Sequence, residues 1–239
     1  SENDIRLIED CSQAHGAKHN EKVIGTFGDT AAFSTMFSKN IVSGPTGGLV
    51  FTRNEETYHS ILAHADKGKA VWRDDFDARD PGSYLFPSHN FNSNEFACAF
   101  GNSSLQKLPN TIKRRQYFYK NIFRAVKGNS KICRVYDYSE DTSPFIIPVF
   151  VNCERLICSK IEFARSILAE GIDLNPDYKQ FAPSWPWLGK HIADKFDCPN
   201  ARDSLDNSFC LYVNENYHDT EVEDTLNSIL KVEEFYIKK

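Results

Sequence analysis

The run "IRLIED", residues 5–10, constrains the fold more than any other segment. Its β-branched, apolar character is that of a buried strand, and a buried parallel strand needs neighbours on both sides. Only four residues precede it, so the chain is expected to begin in the middle of a sheet. "DTAAFST" (29–35) and "GGLVFT" (47–52) supply the next strands, the second entered through Gly47 and Gly48. "NEETYHSILAHADK" (54–67) then predicts a helix, with Asn54 as N-cap and Tyr58, Ile61, Leu62 and Ala65 on one face. Residues 68–88 are polar, carry Gly and Pro, and predict a long loop; a loop of that length in a compact domain more often serves function than connection.

"NSNEFACAFG" opens a second helix, with Asn92 as cap and Glu95 as its capping-box partner. Pro109 is expected to break or kink it, because proline lacks an N–H and clashes with the preceding turn. The domain boundary is placed there, giving a large domain over 1–108 and a smaller α+β domain over 109–239. In the latter, 144–152 and 208–214 predict strands, and 159–172 and 219–236 predict amphipathic helices. A Thr220/Glu223 capping box is expected to open the last of these.

Composition narrows the classes. With 239 residues, 41% of them hydrophobic, the chain can bury a core and reads as globular. A net charge of −5 implies no basic face for nucleic acid. No apolar run approaches the roughly 18 residues of a membrane helix, and the N-terminus lacks the basic-then-apolar order of a secretory signal. The seven scattered cysteines fit no zinc spacing and are read as reduced cytoplasmic thiols, with no metal site expected.

Four residues carry chemistry. Asp10 ends the first strand, where ligands of open α/β sheets usually lie, although an aspartate there also serves to cap a turn. Gln13 leaves from the same strand end. Ser34 ends the next strand and Lys39 follows five residues later, either as a solvated loop cation or as a working amine. If the two strands are parallel neighbours, all four line one crevice. A carboxylate, an amide, a hydroxyl and an amine suit an anionic, aromatic, carbonyl-bearing cofactor such as pyridoxal phosphate. Lys39 would form the Schiff base. Asp10 would keep the pyridine nitrogen protonated, a pair worth on the order of 4 kcal/mol before desolvation at about 4 Å and an effective dielectric near 20. Ser34 would bind the phosphate through a charge-assisted hydrogen bond.

"LIEDCSQAHGA", "FGDTAAFSTMFSKN" and "GGLVFT" together resemble the DegT/DnrJ/StrS-type sugar aminotransferases, which are fold type I pyridoxal-phosphate enzymes. Asp10, Gln13, Ser34, Lys39 and Asn40 fall on the family's positions in order, and the 29-residue separation of Asp10 and Lys39 agrees. "HNFNSNEFACAFGNSSLQKLPNTIKRR" is similar to the family's asparagine loop and following helix. Asn90 there matches an asparagine that reaches the cofactor phosphate of the other subunit. The resemblance implies an α/β fold with a mainly parallel sheet, and a homodimer with shared active sites. It implies transfer of an amino group from an amino acid such as glutamate to a nucleotide-linked keto sugar, through a pyridoxamine phosphate form. Lys39 would hold the cofactor and shuttle protons. Relatives that are dehydratases carry histidine in its place, so Lys39 favours transamination.

Three departures stand out. The family's large domain begins well upstream of the Asp-bearing strand. The chain is therefore expected to be the C-terminal part of a longer protein, one half of a split enzyme with an N-terminal complementing segment, or a degenerate relative acting as a non-catalytic partner subunit. The turn "VSGPTGG" after Lys39 replaces the family's shorter Gly-Glu-Gly-Gly version, and Asn92 stands where the family has arginine. His15 reads equally as a packed histidine or a substrate contact. "SWPWL" (184–188) is expected to pack in the small domain, and "KRR" (113–115) to form a solvated helix face.

Overall fold

A computed structural model describes residues 5–191 and 197–238. They form two compact units. Unit 1 runs to Ile112 and takes in Asp141–Ser143; unit 2 comprises Lys113–Glu140 and Pro144 onward.

Unit 1 holds a three-stranded sheet ordered β1 (Ile8–Asp10), β4 (Thr30–Ser34), β5 (Gly48–Thr52), with a two-stranded hairpin of β2 (Lys18–His19) and β3 (Lys22–Val23) between β1 and β4 in sequence. β1 and β4 are parallel, whereas β4 and β5 are antiparallel, so in this sheet one pair of each kind occurs. β1 is shorter than the apolar run suggests. It pairs on one side only, and Ile8 is 72% exposed, so the segment that reads as buried is here an edge. Its tie to β4 is completed by side chains. Glu9 accepts hydrogen bonds at 2.7 Å from the backbone N–H groups of Gly25, Phe27 and Gly28, and Asp29 accepts from the Leu7 N–H at 2.8 Å. The turn before β4 thus wraps three of its N–H groups around one carboxylate. Helix α1 (Glu55–Ala65) begins as the sequence predicts, with Asn54 Oδ1 accepting from Thr57 N–H at 2.7 Å.

Helix α2 spans Glu95–Asn129, and the unit boundary falls inside it. Its cap is Asn94, whose Oδ1 accepts from Ala97 N–H, rather than Asn92. Asn92 donates its own N–H to Asn90 and so belongs to the preceding turn. Pro109 does not end the helix. The carbonyl it leaves without a donor belongs to Leu105, which is 50% exposed, so water can satisfy it.

Unit 2 is an antiparallel sheet ordered β6 (Cys133–Val135), β7 (Ile146–Val151), β9 (Ser208–Tyr212), β8 (Leu174–Asn175), with α3 (Lys160–Ala169), α4 (Pro199–Asp206) and α5 (Asp219–Tyr236). Phe118 and Ile122 of α2, Ile147 and Val149 of β7, Phe163 of α3, Phe209 of β9 and Ile229 of α5 form its core. Each such side chain contributes about 1.5–3 kcal/mol on burial. α5 starts two residues earlier than the Thr220/Glu223 box requires: His218 is the cap, and Glu221 accepts from the His218 N–H at 2.7 Å. The "KRR" face is also not simply solvated. Arg115 is 8% exposed and donates from Nε and Nη2 to Glu215 Oε2 at 3.0 and 2.9 Å, and Arg114 donates to the Glu215 carbonyl. Position 115 lies on the same helical face as the buried Phe118, Tyr119 and Ile122. Trp185 and Trp187 stack on each other at 5.4 Å, but Trp187 is 59% exposed, so this cluster is a surface feature and not interior packing.

Candidate active site

The site lies at the strand ends of unit 1. Asp10 is the last residue of β1 and is paired with Ala32 in β4. Paired residues in a sheet point to one face, and so do residues two apart in a strand, so Asp10 and Ser34 share a face. The same face carries Ala32 with its β5 partner Val50, and Gly48, the partner of Ser34. A carboxylate thus stands at one strand end and a hydroxyl at the next, with small and apolar groups beside them.

Of the two tasks open to Asp10, the structure shows the turn cap. Its Oδ1 accepts from the Ser12 hydroxyl at 2.5 Å and the Ser12 N–H at 3.1 Å, which caps the turn after β1. The Ser12 hydroxyl foremost, then its N–H, hold the Asp10 carboxyl below its ordinary range against a small burial penalty, and the positive charge of Lys39 adds to the effect. Asp10 is thus an ionised group facing the site. Gln13 is exposed in the same turn, which is closed by Ala14 N–H donating to the Cys11 carbonyl at 3.0 Å.

Lys39 sits on a loop that leaves β4 and returns to it. At the base, Thr35 and Ser43 hydroxyls are 2.6 Å apart, Ser43 N–H donates to the Thr35 carbonyl at 2.8 Å, and Thr35 N–H donates to the Gly47 carbonyl at 3.0 Å. Near the tip, Lys39 N–H donates to Met36 at 3.0 Å, and the next residue, Asn40, is 4% exposed. The insertion-bearing turn "SGPTGG" therefore closes the lysine loop. Gly47 has φ +149°, and a Cβ there would lie 2.3 Å from Ser43 Oγ and 2.6 Å from Thr35 Oγ1.

His15 resolves to a buried group, 2% exposed, tilted against Phe33 at 5.6 Å between ring centroids. Neither ring nitrogen has a partner that meets hydrogen-bond geometry. Burial foremost pushes its pKa down, the Ser34 backbone opposes this, and the charge of Lys39 adds to the lowering, so the ring is neutral. The same lysine charge thus acts on Asp10 and on His15, which places all three in one electrostatic cluster.

Asn90 stands on a different loop. The loop is tied to the end of α1 by Phe91 N–H donating to Ala65 at 2.7 Å and Lys67 N–H donating to His89 at 2.8 Å. Asn90 is exposed, and its Oδ1 accepts from Asn92 N–H. Among the described residues, no three His, Cys, Asp or Glu side chains are grouped to hold a metal ion. No helix among them is long and apolar enough to cross a membrane. A cavity of about 540 Å³ in unit 2, around Cys133, Phe150 and Asp203, contains none of the cluster's groups.

The donor set fits a flat anionic aromatic aldehyde: a carboxylate for a ring nitrogen, a hydroxyl for an anion and an amine for the carbonyl. Sequence reasoning missed Glu9 and the Thr35/Ser43 pair. The first is held by the N–H groups of Gly25, Phe27 and Gly28, which converge on it only in the folded turn. The second had no local signal.

Residues 1–230 match the profile of the DegT/DnrJ/EryC1/StrS aminotransferase family. The chain is 29% identical to the UDP-4-amino-4,6-dideoxy-N-acetyl-beta-L-altrosamine transaminase of Campylobacter jejuni, over 73% of this chain and 45% of that protein. It is 28% identical to the GDP-4-keto-6-deoxy-D-mannose 3-dehydratase of Yersinia pseudotuberculosis, over 72% of this chain and 46% of that protein. The structure superposes on the aminotransferase from Psychrobacter cryohalolentis with a TM-score of 0.82 and 22% identity, over 97% of this chain and 62% of the other. The chain thus spans about half the length of these curated relatives, and its fold is that of the fold type I aminotransferases.

Proposed function

The chain belongs to the DegT/DnrJ/EryC1/StrS aminotransferase family, and from that premise we propose that it carries the lysine-bearing wall of a pyridoxal-phosphate site for amino transfer to a nucleotide-linked keto sugar, with an amino acid such as glutamate as donor. The observation that supports this reading is the parallel register of β1 with β4, which sets Asp10 and Ser34 on one face, with Lys39 on the loop that follows Ser34. When bound, pyridoxal phosphate supplies an electron sink for the carbon that bears the amino group. Lys39 Nζ would hold the cofactor through its aldehyde carbon, and would take and return the proton at the carbon that bears the amino group. Asp10, ionised and oriented by Ser12, holds negative charge toward the ring nitrogen. Ser34 donates its hydroxyl to the phosphate, and Gln13 stands at the mouth of the same strand ends. Neutral His15 keeps a second positive charge away from Lys39. Asn90 serves the phosphate of a partner subunit in a homodimer.

The test uses the full chain with pyridoxal phosphate, borohydride reduction and peptide mass spectrometry. An adduct at Lys39 that is lost in Lys39→Ala supports the proposal, and its absence from the wild-type chain refutes it for this chain acting alone. A second reading is a partner subunit of a complete aminotransferase. It is favoured by the apolar surface on the site-bearing sheet, where Ile8, Leu49 and Val50 are 72%, 57% and 53% exposed. It predicts a stable hetero-oligomer whose turnover Lys39→Ala leaves unchanged.

A further inference from the structure

Asn40 and Ser143 are 103 residues apart in sequence, yet Asn40 Nδ2 donates to Ser143 Oγ at 2.8 Å. Both residues are almost fully buried, at 4% and 5% exposure. The segment that carries Ser143 is unusual: Asp141–Ser143 belongs to unit 1, although the residues on either side of it belong to unit 2. It is fixed there a second time by Lys18 N–H donating to the Asp141 carbonyl at 2.9 Å. The lysine loop is therefore held at three places. Thr35 and Ser43 close its base, Ser104 Oγ accepts from Val42 N–H at 2.9 Å, and Ser143 holds Asn40, the residue next to Lys39. The first two act three or four residues from Lys39; only the third acts on its immediate neighbour. A buried side-chain bond there fixes the peptide that carries the lysine Cα, which sets the direction in which the amine leaves the backbone. The bond to Asn40 satisfies the buried Ser143 hydroxyl.

We infer that Ser143 is a positioning residue for Lys39, acting through Asn40. The inference deepens the reading of Lys39 as the cofactor-capturing amine and rests on it for its functional meaning, but the geometry it concerns exists without any cofactor. A loosened loop places the amine less well, and a misplacement of about 1 Å can cost on the order of a hundredfold in rate.

The experiment compares the full-length chain with its Ser143→Ala and Ser143→Thr variants by two measurements. The first is competitive labelling of Lys39 with an amine-acylating reagent in cofactor-free protein, normalised to Lys179, which is exposed on unit 2. The second is the rate at which pyridoxal phosphate is captured at Lys39, read as the borohydride-reduced adduct. Ser143→Ala is expected to change Lys39 labelling at least about threefold and to slow capture about tenfold or more, within the range that misplacement allows. Ser143→Thr, which keeps the hydroxyl, restores both. A merely structural serine would lower the melting temperature and leave normalised labelling unchanged. Wild-type labelling in Ser143→Ala, or equal behaviour of the Ala and Thr variants, overturns the inference. Failure of the wild-type chain to capture pyridoxal phosphate overturns the proposed function instead, and the labelling comparison still decides the role of Ser143.

Discussion

Gly47→Ala should open the base of the lysine loop, and the structure sets the size of the effect. Gly47 has φ +149°, a conformation that costs a residue with a Cβ about 1–3 kcal/mol. The added carbon would also fall 2.3 Å from Ser43 Oγ, so that hydroxyl must turn away from Thr35 and surrender a bond worth about 1 kcal/mol. The sum is about 2–4 kcal/mol, or about a 30- to 700-fold change in a local opening equilibrium. Hydrogen exchange reads it directly, because the Ser43 and Thr35 amides are bonded across the loop base to Thr35 and Gly47 carbonyls. Gly44→Ala is the internal comparison. Its φ of +144° is similar, but the nearest atom to a Cβ there is 3.8 Å away, so it suffers strain without a clash. Exchange at Ser43 should therefore be about fivefold faster in Gly47→Ala than in Gly44→Ala, the equivalent of about 1 kcal/mol. Ser43→Ala removes the nearer of the two clashing oxygens and frees the Thr35 hydroxyl, 2.6 Å from the added carbon, to turn away, so the Gly47→Ala/Ser43→Ala double variant should cost less than the two single changes added. Equal exchange in Gly47→Ala and Gly44→Ala, or strict additivity in the double variant, would refute the reasoning.

Two further outcomes follow from burial and charge. Burial works against the Glu9 carboxylate, yet the N–H groups of Gly28, Gly25 and Phe27, with Lys22, hold its pKa below the ordinary value. Its contribution is complete above the ordinary glutamate range and is lost as pH falls through the lowered folded value. Denaturant titrations from pH 6 to pH 3 should show stability falling in the wild type, with a shallower slope in Glu9→Gln; equal slopes would count against it. Glu9→Gln itself should cost on the order of 1–2 kcal/mol, because an amide NH₂ in place of Oε2 meets the Gly25 N–H donor. Burial pushes the Cys133 thiol up to about 12, so in folded protein at pH 8 it should resist iodoacetamide while exposed Cys98 is alkylated. Alkylation of Cys133 at the rate of Cys98 would contradict its place in the core.

The helices show what local pattern can and cannot fix. Asn54 was legible as a cap because an asparagine immediately before an amphipathic run has one obvious use. Around α2 three candidate caps, Asn90, Asn92 and Asn94, lie within five residues, and tertiary context assigned the last of them to the helix and the first two to a turn tied to α1. Pro109 reads as a helix breaker, yet the helix continues through it to Asn129, and the freed carbonyl belongs to Leu105, a half-exposed residue. Arg115 looked like surface charge because Glu215, its partner, is 100 residues away.

The sequence by itself determined the order of chemical groups: Asp10 at one strand end, Ser34 at the next, Lys39 five residues on, with spacings set by strand length and loop closure. These are short-range quantities that chain geometry cannot evade. Tertiary structure alone decided which groups share a face, because that depends on the register of Asp10 with Ala32 and not on either strand alone. It also decided that His15 is neutral and buried, and that Lys39 is braced through Asn40 by Ser143. His15 meets Phe33 from 18 residues away and Asn40 meets Ser143 from 103, and no local pattern encodes either meeting.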